Sequence, residues 1–291
     1  MLMMTQPNIG LIGLGAMGSG IAASISRAGL SSLVYDTDTY KLELTAKNPL
    51  IKKSSATKIV TECDLVLMCV QSSIQIGNIL SLDSPKHGAT IVDLTSSDPR
   101  VTENRAEKLL QEIGVNQLDA AMSGGAKGAA AGTLTLMVGG DADILEKNTP
   151  ILNSFSNKIF HIGGAGKGQL MKLFHNAVCH GNFLLLSEIC IKGEKQGLDL
   201  GQMIDVFNCS NARSYISERR FPDHILSGTF DGKSTPSNLK KDLGLLEKLL
   251  QTNGEQTFLS HSLRLLDMLD PTYEHEDFML IYPQLKELLQ K

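Results

Sequence analysis

The chain has 291 residues, with 27 Lys and Arg against 31 Asp and Glu, a formal charge of -4. Its 42% apolar content is enough to build a core and excludes a disordered chain, and the length suits one large domain or two ordinary ones. The mild acidity argues against a dedicated nucleic-acid binder, and the lack of Trp with only 5% aromatics disfavours platforms that stack bases or sugars.

Residues 8–14 are a β-branched and Leu run closing on glycine, the pattern of a buried strand. Residues 17–28 read as a helix closed by Gly29, and 33–35 as a second strand ending at Asp36. Residues 65–70 (LVLMCV) and, after a turn at Gly88, residues 90–94 are further buried runs. Residues 101–113 have helical periodicity with charges outward, followed by Gly114 and a short strand through Leu118. Residues 133–138 (TLTLMV) add another strand. Strands alternating with helices predict a mainly parallel sheet with right-handed crossovers.

Past the cluster GGAGKG (163–168) the pattern becomes helical: 169–197, 200–208, 240–252, 256–270 and 278–290. The expected organisation is an α/β domain over residues 1–163 and an all-α domain over 164–291. The start carries no positive stretch followed by an apolar one, so no signal peptide is expected. No window of about 20 apolar residues predicts a membrane span. Five cysteines, an odd number with no C-x-x-C pair, suit a reduced cytoplasmic protein. His175, Cys179 and His180 cluster without a second group of ligands, so no metal site is expected.

Gly13-Leu14-Gly15-Ala16-Met17-Gly18 fits G-x-G-x-x-G after a strand and before a helix. In that context Gly13 serves the tight turn, Gly15 admits a pyrophosphate close to the backbone, and Gly18 lets helix and strand pack closely. The pyrophosphate then sits on free N–H groups at the helix start. Asp36, 18 residues after Gly18, suits the ribose hydroxyls of an adenosine and repels a 2′-phosphate. Thr37 and Asp38 follow with no Arg nearby, which favours NAD over NADP.

Ser123-Gly124-Gly125 ends a strand with a hydroxyl and successive N–H groups, either a carboxylate cradle or a plain loop. Lys172 and Asn176 stand four apart on one predicted helix, on a face continuing to Cys179 and Phe183. A lysine there either snorkels to solvent or serves a purpose. Desolvation lowers a lysine pKa, which suits proton transfer near neutrality. Lys241-Asp242 opens a later helix and, read alone, is a solvated pair.

Together these segments resemble the β-hydroxyacid dehydrogenases, the family of 3-hydroxyisobutyrate dehydrogenase, tartronate semialdehyde reductase and L-threonate dehydrogenase. The resemblance covers nearly the whole chain. It rests on GLIGLGAMG (10–18), DLTSSDP (93–99), DAAMSGG (119–125), GKGQLMKLFHN (166–176) and KKDL (240–243). It implies a Rossmann domain followed by a helical domain, in a homodimer or homotetramer. It also implies Lys172 as the catalytic acid/base, Asn176 beside it on the substrate, and Ser123, Gly124 and Gly125 on the substrate carboxylate. Thr95, Val70, Gln71 and Lys241 would contact the cofactor, and Asp36 matches the NAD-preferring branch. The sequence departs from the family at Val70-Gln71-Ser72, where Leu-Pro is common, and at Ala121, where Pro is common. Arg213, with Arg219 or Arg220, falls where members vary with substrate, and is a second anionic contact or a surface residue.

The expected activity is NAD-dependent oxidation of a small 3-hydroxy acid to its semialdehyde, or the reverse. Two alternatives stand beside it. One is an NADPH-dependent reductase of glyoxylate, succinic semialdehyde or tartronate semialdehyde. The other is a non-catalytic nucleotide-binding scaffold, since fold does not fix function.

Overall fold

The structure, a computed structural model, describes residues 7–251 and 256–290. The opening residues, on which the signal-peptide reading falls, and Thr252 lie outside them. The chain divides into two compact units within one helix, between Lys172 and Leu173.

The first unit alternates short strands and helices. In order they are β1 (Ile9–Ile12), α1 (Ala16–Arg27), β2 (Ser32–Tyr35), α2 (Thr39–Thr45), β3 (Ile51–Lys53) and α3 (Ala56–Glu62). β4 (Leu65–Met68), α4 (Ser73–Leu80), β5 (Thr90–Asp93), α5 (Pro99–Ile113) and β6 (Asn116–Ser123) follow. α6 (Gly125–Ala131), β7 (Leu134–Gly139), α7 (Ala142–Leu152) and β8 (Ser156–Gly163) complete the sheet.

The eight strands lie in the order β3-β2-β1-β4-β5-β6-β7-β8. Every neighbouring pair is parallel except β6 and β7. That pair is joined only through the short α6, too brief a link for a crossover back to a parallel strand. The expected Rossmann-like α/β unit is therefore present. Strand alternation sorts the core into two layers. Leu11, Leu65, Leu67 and Val92 face one cluster, and Ile12, Val66, Met68 and Ile91 the other.

Among the described residues of this unit, the sequence reading missed β3, β8 and five helices, and in the second unit it missed the π-helix over Ile216–Leu226. β3 spans only Ile51–Lys53, and β8 is mostly exposed, so neither carries a buried run. α2, α3, α4 and α7 are short, and their clearest signals are polar caps at Asp38, Ser55, Ser72 and Asp141. α6 is a Gly-Ala stretch with no side-chain cap.

The second unit is helical, as expected. It holds the continuation of α8 (Lys167–Lys195), then α9 (Leu200–Asn208), a π-helix over Ile216–Leu226, α10 (Pro236–Leu250), α11 (Phe258–Asp267) and α12 (Ile281–Gln290). α10 starts four residues earlier than expected, on the Thr235 cap and Pro236. Lys241 thus lies in its second turn rather than at its start. The helix expected from residue 278 begins as a 3-10 turn capped by Asp277. Its core gathers Phe183, Phe221, Phe278 and Tyr282. The Phe183–Phe278 and Phe221–Tyr282 rings meet edge-on at 5.3 and 5.4 Å, pairs worth about 0.5–1.5 kcal/mol each beyond their burial. Among the described residues, no helix is long and apolar enough to cross a membrane.

Candidate active site

In the first unit the strand order reverses direction between β1 and β4, and the crevice beyond the carboxyl ends of such strands is where ligands bind. The Gly13-Leu14-Gly15 turn closes β1 there. Gly13 has φ +98, and a Cβ on it would meet the Cys69 carbonyl oxygen at 2.2 Å. A Cβ on Gly18 would lie 1.9 Å from the Gly13 oxygen, so helix α1 packs on the turn only without a side chain. Gly15 caps α1 with no side-chain bond, and a Cβ there would meet nothing within 4 Å. Ala16 and Met17 begin the helix. The local features of a pyrophosphate cradle, open space over uncapped N–H groups, are thus in place.

Asp36 is aimed back at this turn. Its carboxylate accepts the Leu14 N–H at 2.5 Å and the Asp38 N–H at 2.8 Å. Thr37 beside it is exposed. On β4's exit Val70 is half-buried and Gln71 exposed, and the Val70 N–H donates to Thr95 Oγ1 at 3.3 Å. Burial pushes the neighbouring Cys69 thiol up to about 12, so it stays protonated and is no nucleophile.

β5 ends at a buried acid, Asp93, which stands in register beside a second one in the middle of β6, Asp119. Asp93 is fully buried and ion-paired to Arg105 from α5, and it accepts the Thr95 N–H at 2.8 Å. Arg105 also donates to Gln117 Oε1 at 2.9 Å. Burial still lifts the Asp93 carboxyl to about 6, against the pull of Arg105. Asp119 accepts the N–H groups of Gly166 and Gln169, at 2.7 and 2.8 Å, and burial raises its carboxyl as well. β6 then runs on to Ser123, and Gly124 and Gly125 follow with φ of +125 and +62. Both lie in the left-handed region, which glycine adopts freely.

Lys172 is half-buried, one turn beyond the α8 start. In the second unit Asn176 is buried, and its Nδ2 donates to Asp242 Oδ2 at 2.7 Å. The side-chain Oδ1 of Asn176 lies 3.0 Å from His175 Nδ1. Asp242 in turn lies 3.6 Å from its neighbour Lys241. Arg213 is exposed in the turn before the π-helix and sits 3.5 Å from Glu218. Arg219 pairs with Asp223 at 2.9 Å, and Arg220 donates to the Gly232 carbonyl at 3.2 Å. Exposed pairs such as Arg213–Glu218 contribute only about 0–1 kcal/mol and exchange easily for another anion. Among the described residues no group of three His, Cys, Asp or Glu is arranged to hold a metal ion.

Sequence reasoning passed over Arg105, quoted Asp93, Asp119 and Gln169 only inside motifs, and read Lys241-Asp242 by itself as a solvated pair. An acid inside an otherwise apolar strand was the available signal, because a buried carboxylate needs partners.

Comparison with known proteins agrees with this geometry. Residues 8–163 match the NAD-binding domain of 6-phosphogluconate dehydrogenase. Residues 166–281 match the NAD-binding domain of NADP-dependent 3-hydroxyisobutyrate dehydrogenase. The 2-(hydroxymethyl)glutarate dehydrogenase of Eubacterium barkeri is 32% identical over 242 residues, 81% of this chain and 80% of that one. The L-threonate dehydrogenase of Cupriavidus necator is 30% identical, covering 82% of each chain. The structure of Mycobacterium tuberculosis 3-hydroxyisobutyrate dehydrogenase with L-serine superposes with a TM-score of 0.87 at 25% identity, over 97% of this chain and 99% of that one. Fold and matches together define an NAD(P)-binding oxidoreductase. More narrowly, the chain belongs to the β-hydroxyacid dehydrogenase family, that of 3-hydroxyisobutyrate dehydrogenase.

Proposed function

We propose that this chain catalyses NAD-dependent oxidation of a small 3-hydroxy acid to its semialdehyde, or the reverse reduction. The observation that carries this reading is the first turn of α8, which brings Lys172 out of a buried anchor at Asp119 in β6, the strand that leads to Ser123-Gly124-Gly125. The relatives' names support the substrate class: hydroxymethylglutarate and threonate are small hydroxy acids, as is the serine held by the tuberculosis enzyme.

On this reading residues 1–163 hold the coenzyme and 164–291 serve the substrate and subunit contacts. Ser123 and the N–H groups of Gly124 and Gly125 bind the substrate carboxylate. Neutral Lys172 takes the hydroxyl proton during oxidation and returns it during reduction. Asn176, fixed by Asp242, holds the same end of the substrate. Gly13, Gly15, Ala16, Met17 and Gly18 take the pyrophosphate, Asp36 and Thr37 the ribose side, and Val70, Gln71 and Thr95 the nicotinamide side. Lys241 and Arg213 keep the roles the family resemblance gives them, on coenzyme and substrate. Bound NAD supplies the hydride acceptor. An exposed apolar stripe on α8, formed by Phe174, Val178, Leu185 and Ile189, supports a homodimer or homotetramer.

A second reading, an NADPH-dependent reductase, draws on the NADP-dependent name of the second matched domain. The Asp36 carboxylate over the glycine turn opposes it, because a 2′-phosphate would face a like charge. Fluorescence titration with NADH and NADPH separates the two. NADH is expected to bind at least about tenfold tighter, a difference near 1.4 kcal/mol. Asp36→Arg is expected to reverse that order, and tighter NADPH binding by the unaltered chain would contradict the assignment.

A further inference from the structure

Helix α8 begins at Lys167, so Gly166 is its cap residue, and glycine has no side chain to offer the first free N–H groups. The missing acceptor comes from elsewhere in the chain. Asp119 Oδ1 accepts the Gly166 N–H at 2.7 Å, and Oδ2 accepts the Gln169 N–H at 2.8 Å. Gly166 and Gln169 are the cap and third positions of the helix, the N–H groups that an N-terminal cap and its capping box normally satisfy. The carboxylate also lies at the positive end of the helix dipole.

The contact is built to be tight. Asp119 is 1% exposed, in the interior of the sheet. A Cβ on Gly139 would meet Asp119 Oδ1 at 2.6 Å and the Gly168 nitrogen at 2.8 Å. A Cβ on Gly168 would meet the Met137 carbonyl at 2.3 Å and the Asp119 carbonyl at 2.7 Å. Two glycines therefore let the helix start lie directly on the backbone of β6 and β7. Gln169 extends the hold to the next strand's exit. Its amide donates to the Thr95 carbonyl and accepts the Ser97 N–H at 2.9 Å. Gln169 is itself 1% exposed.

We propose that Asp119 is a positioning residue: by capping α8 across the sheet it fixes the helix on which Lys172 stands, and Gln169 ties that helix to the Thr95 loop. This rests on the reading of Lys172 as the proton-transfer group. Three residues separate Gln169 from Lys172, less than one helical turn, so a shift of the first turn moves the lysine with it. A misplacement of about 1 Å at a reacting group can cost 10²-fold in rate.

Asp119→Ala and the isosteric Asp119→Asn test this in the full-length protein. The assay uses the best-turned-over small 3-hydroxy acid and the same acid deuterated at its hydroxyl-bearing carbon. For Asp119→Ala the expected result is a loss of about 10²-fold in kcat, with NADH affinity and KM within about threefold. The deuterium isotope effect on kcat should rise, because the chemical step becomes slowest. Asp119→Asn, which keeps one acceptor oxygen, should recover at least about tenfold of that loss. A normal kcat in Asp119→Ala, or a fall with an unchanged isotope effect, would overturn the proposal. So would failure of both variants to fold, which would make the role one of stability alone. Lys172→Ala is run beside them. If it keeps full activity, the reading of Lys172 fails. If it is inactive while Asp119→Ala is normal, only the positioning role fails.

Discussion

Replacing Lys172 with alanine is expected to lower turnover by about 10²–10⁴-fold while leaving NADH affinity within about twofold. The range follows from the job assigned to the side chain. One positioned proton-transfer group contributes that much, and the hydride acceptor and the carboxylate cradle proposed at Ser123-Gly124-Gly125 remain in the variant. The residues proposed for the coenzyme's pyrophosphate and ribose lie on the glycine turn and at Asp36, on segments other than α8. Stopped-flow turnover and a fluorescence titration read the two quantities separately. Loss of coenzyme affinity in proportion to turnover would instead mark Lys172 as a binding residue.

Arg105→Met is expected to destabilise the protein by about 3–5 kcal/mol at pH 7. Arg105 is the ion-pair partner of Asp93, whose side chain has no solvent exposure. Removing the guanidinium leaves a buried carboxylate that, among the described residues, keeps the Thr95 N–H as its hydrogen-bond donor. The pH dependence has a definite sign. Burial already raises Asp93 from 3.8 to about 6, so the protonated acid is the form the fold prefers. Such a group's contribution to stability is complete below about pH 3.8 and is lost as the pH rises through about 6. Without Arg105 the raised value goes higher still, so the variant's deficit should shrink between pH 7 and pH 5. Adding Asp93→Asn should recover much of the loss, since a neutral amide is cheaper to bury than an unpaired charge. Urea melts at the two pH values read all three outcomes. A deficit under about 1 kcal/mol at pH 7 would contradict the account.

The two features contrast in how far sequence alone exposes them. The Gly13–Gly18 turn is readable because its glycines answer local demands: a positive φ at Gly13 and contact with backbone at Gly18. Helix α8 is readable because its 29 residues run without a proline to break them. The parallel sheet is readable because β1, β4 and β5 are buried along their whole length. Asp93 and Asp119 interrupt runs of the same kind, yet their partners lie 12 residues away in Arg105 and 47–50 residues away in Gly166 and Gln169. No spacing rule links such groups before the strands and helices are assembled. Asn176 and Asp242 are 66 residues apart and meet only through the packing of the second unit. The sequence reading therefore reached the residues at segment ends, where backbone constraints are local. It quoted the buried acids inside motifs but missed the contacts by which they hold those ends together.

The proposed reaction is a carboxylate-bearing 3-hydroxy acid giving up a hydride to NAD. It is tested most directly by following NADH formation with a panel of small 3-hydroxy acids, including 3-hydroxyisobutyrate, threonate, serine and glycerate, each beside its uncharged amide. NADH is expected from at least one acid, with the matching amide at least about tenfold poorer in kcat/KM because the proposed Ser123-Gly124-Gly125 cradle has no anion to hold. Equal rates for acid and amide, or no reduction of NAD by any member of the panel, would contradict it.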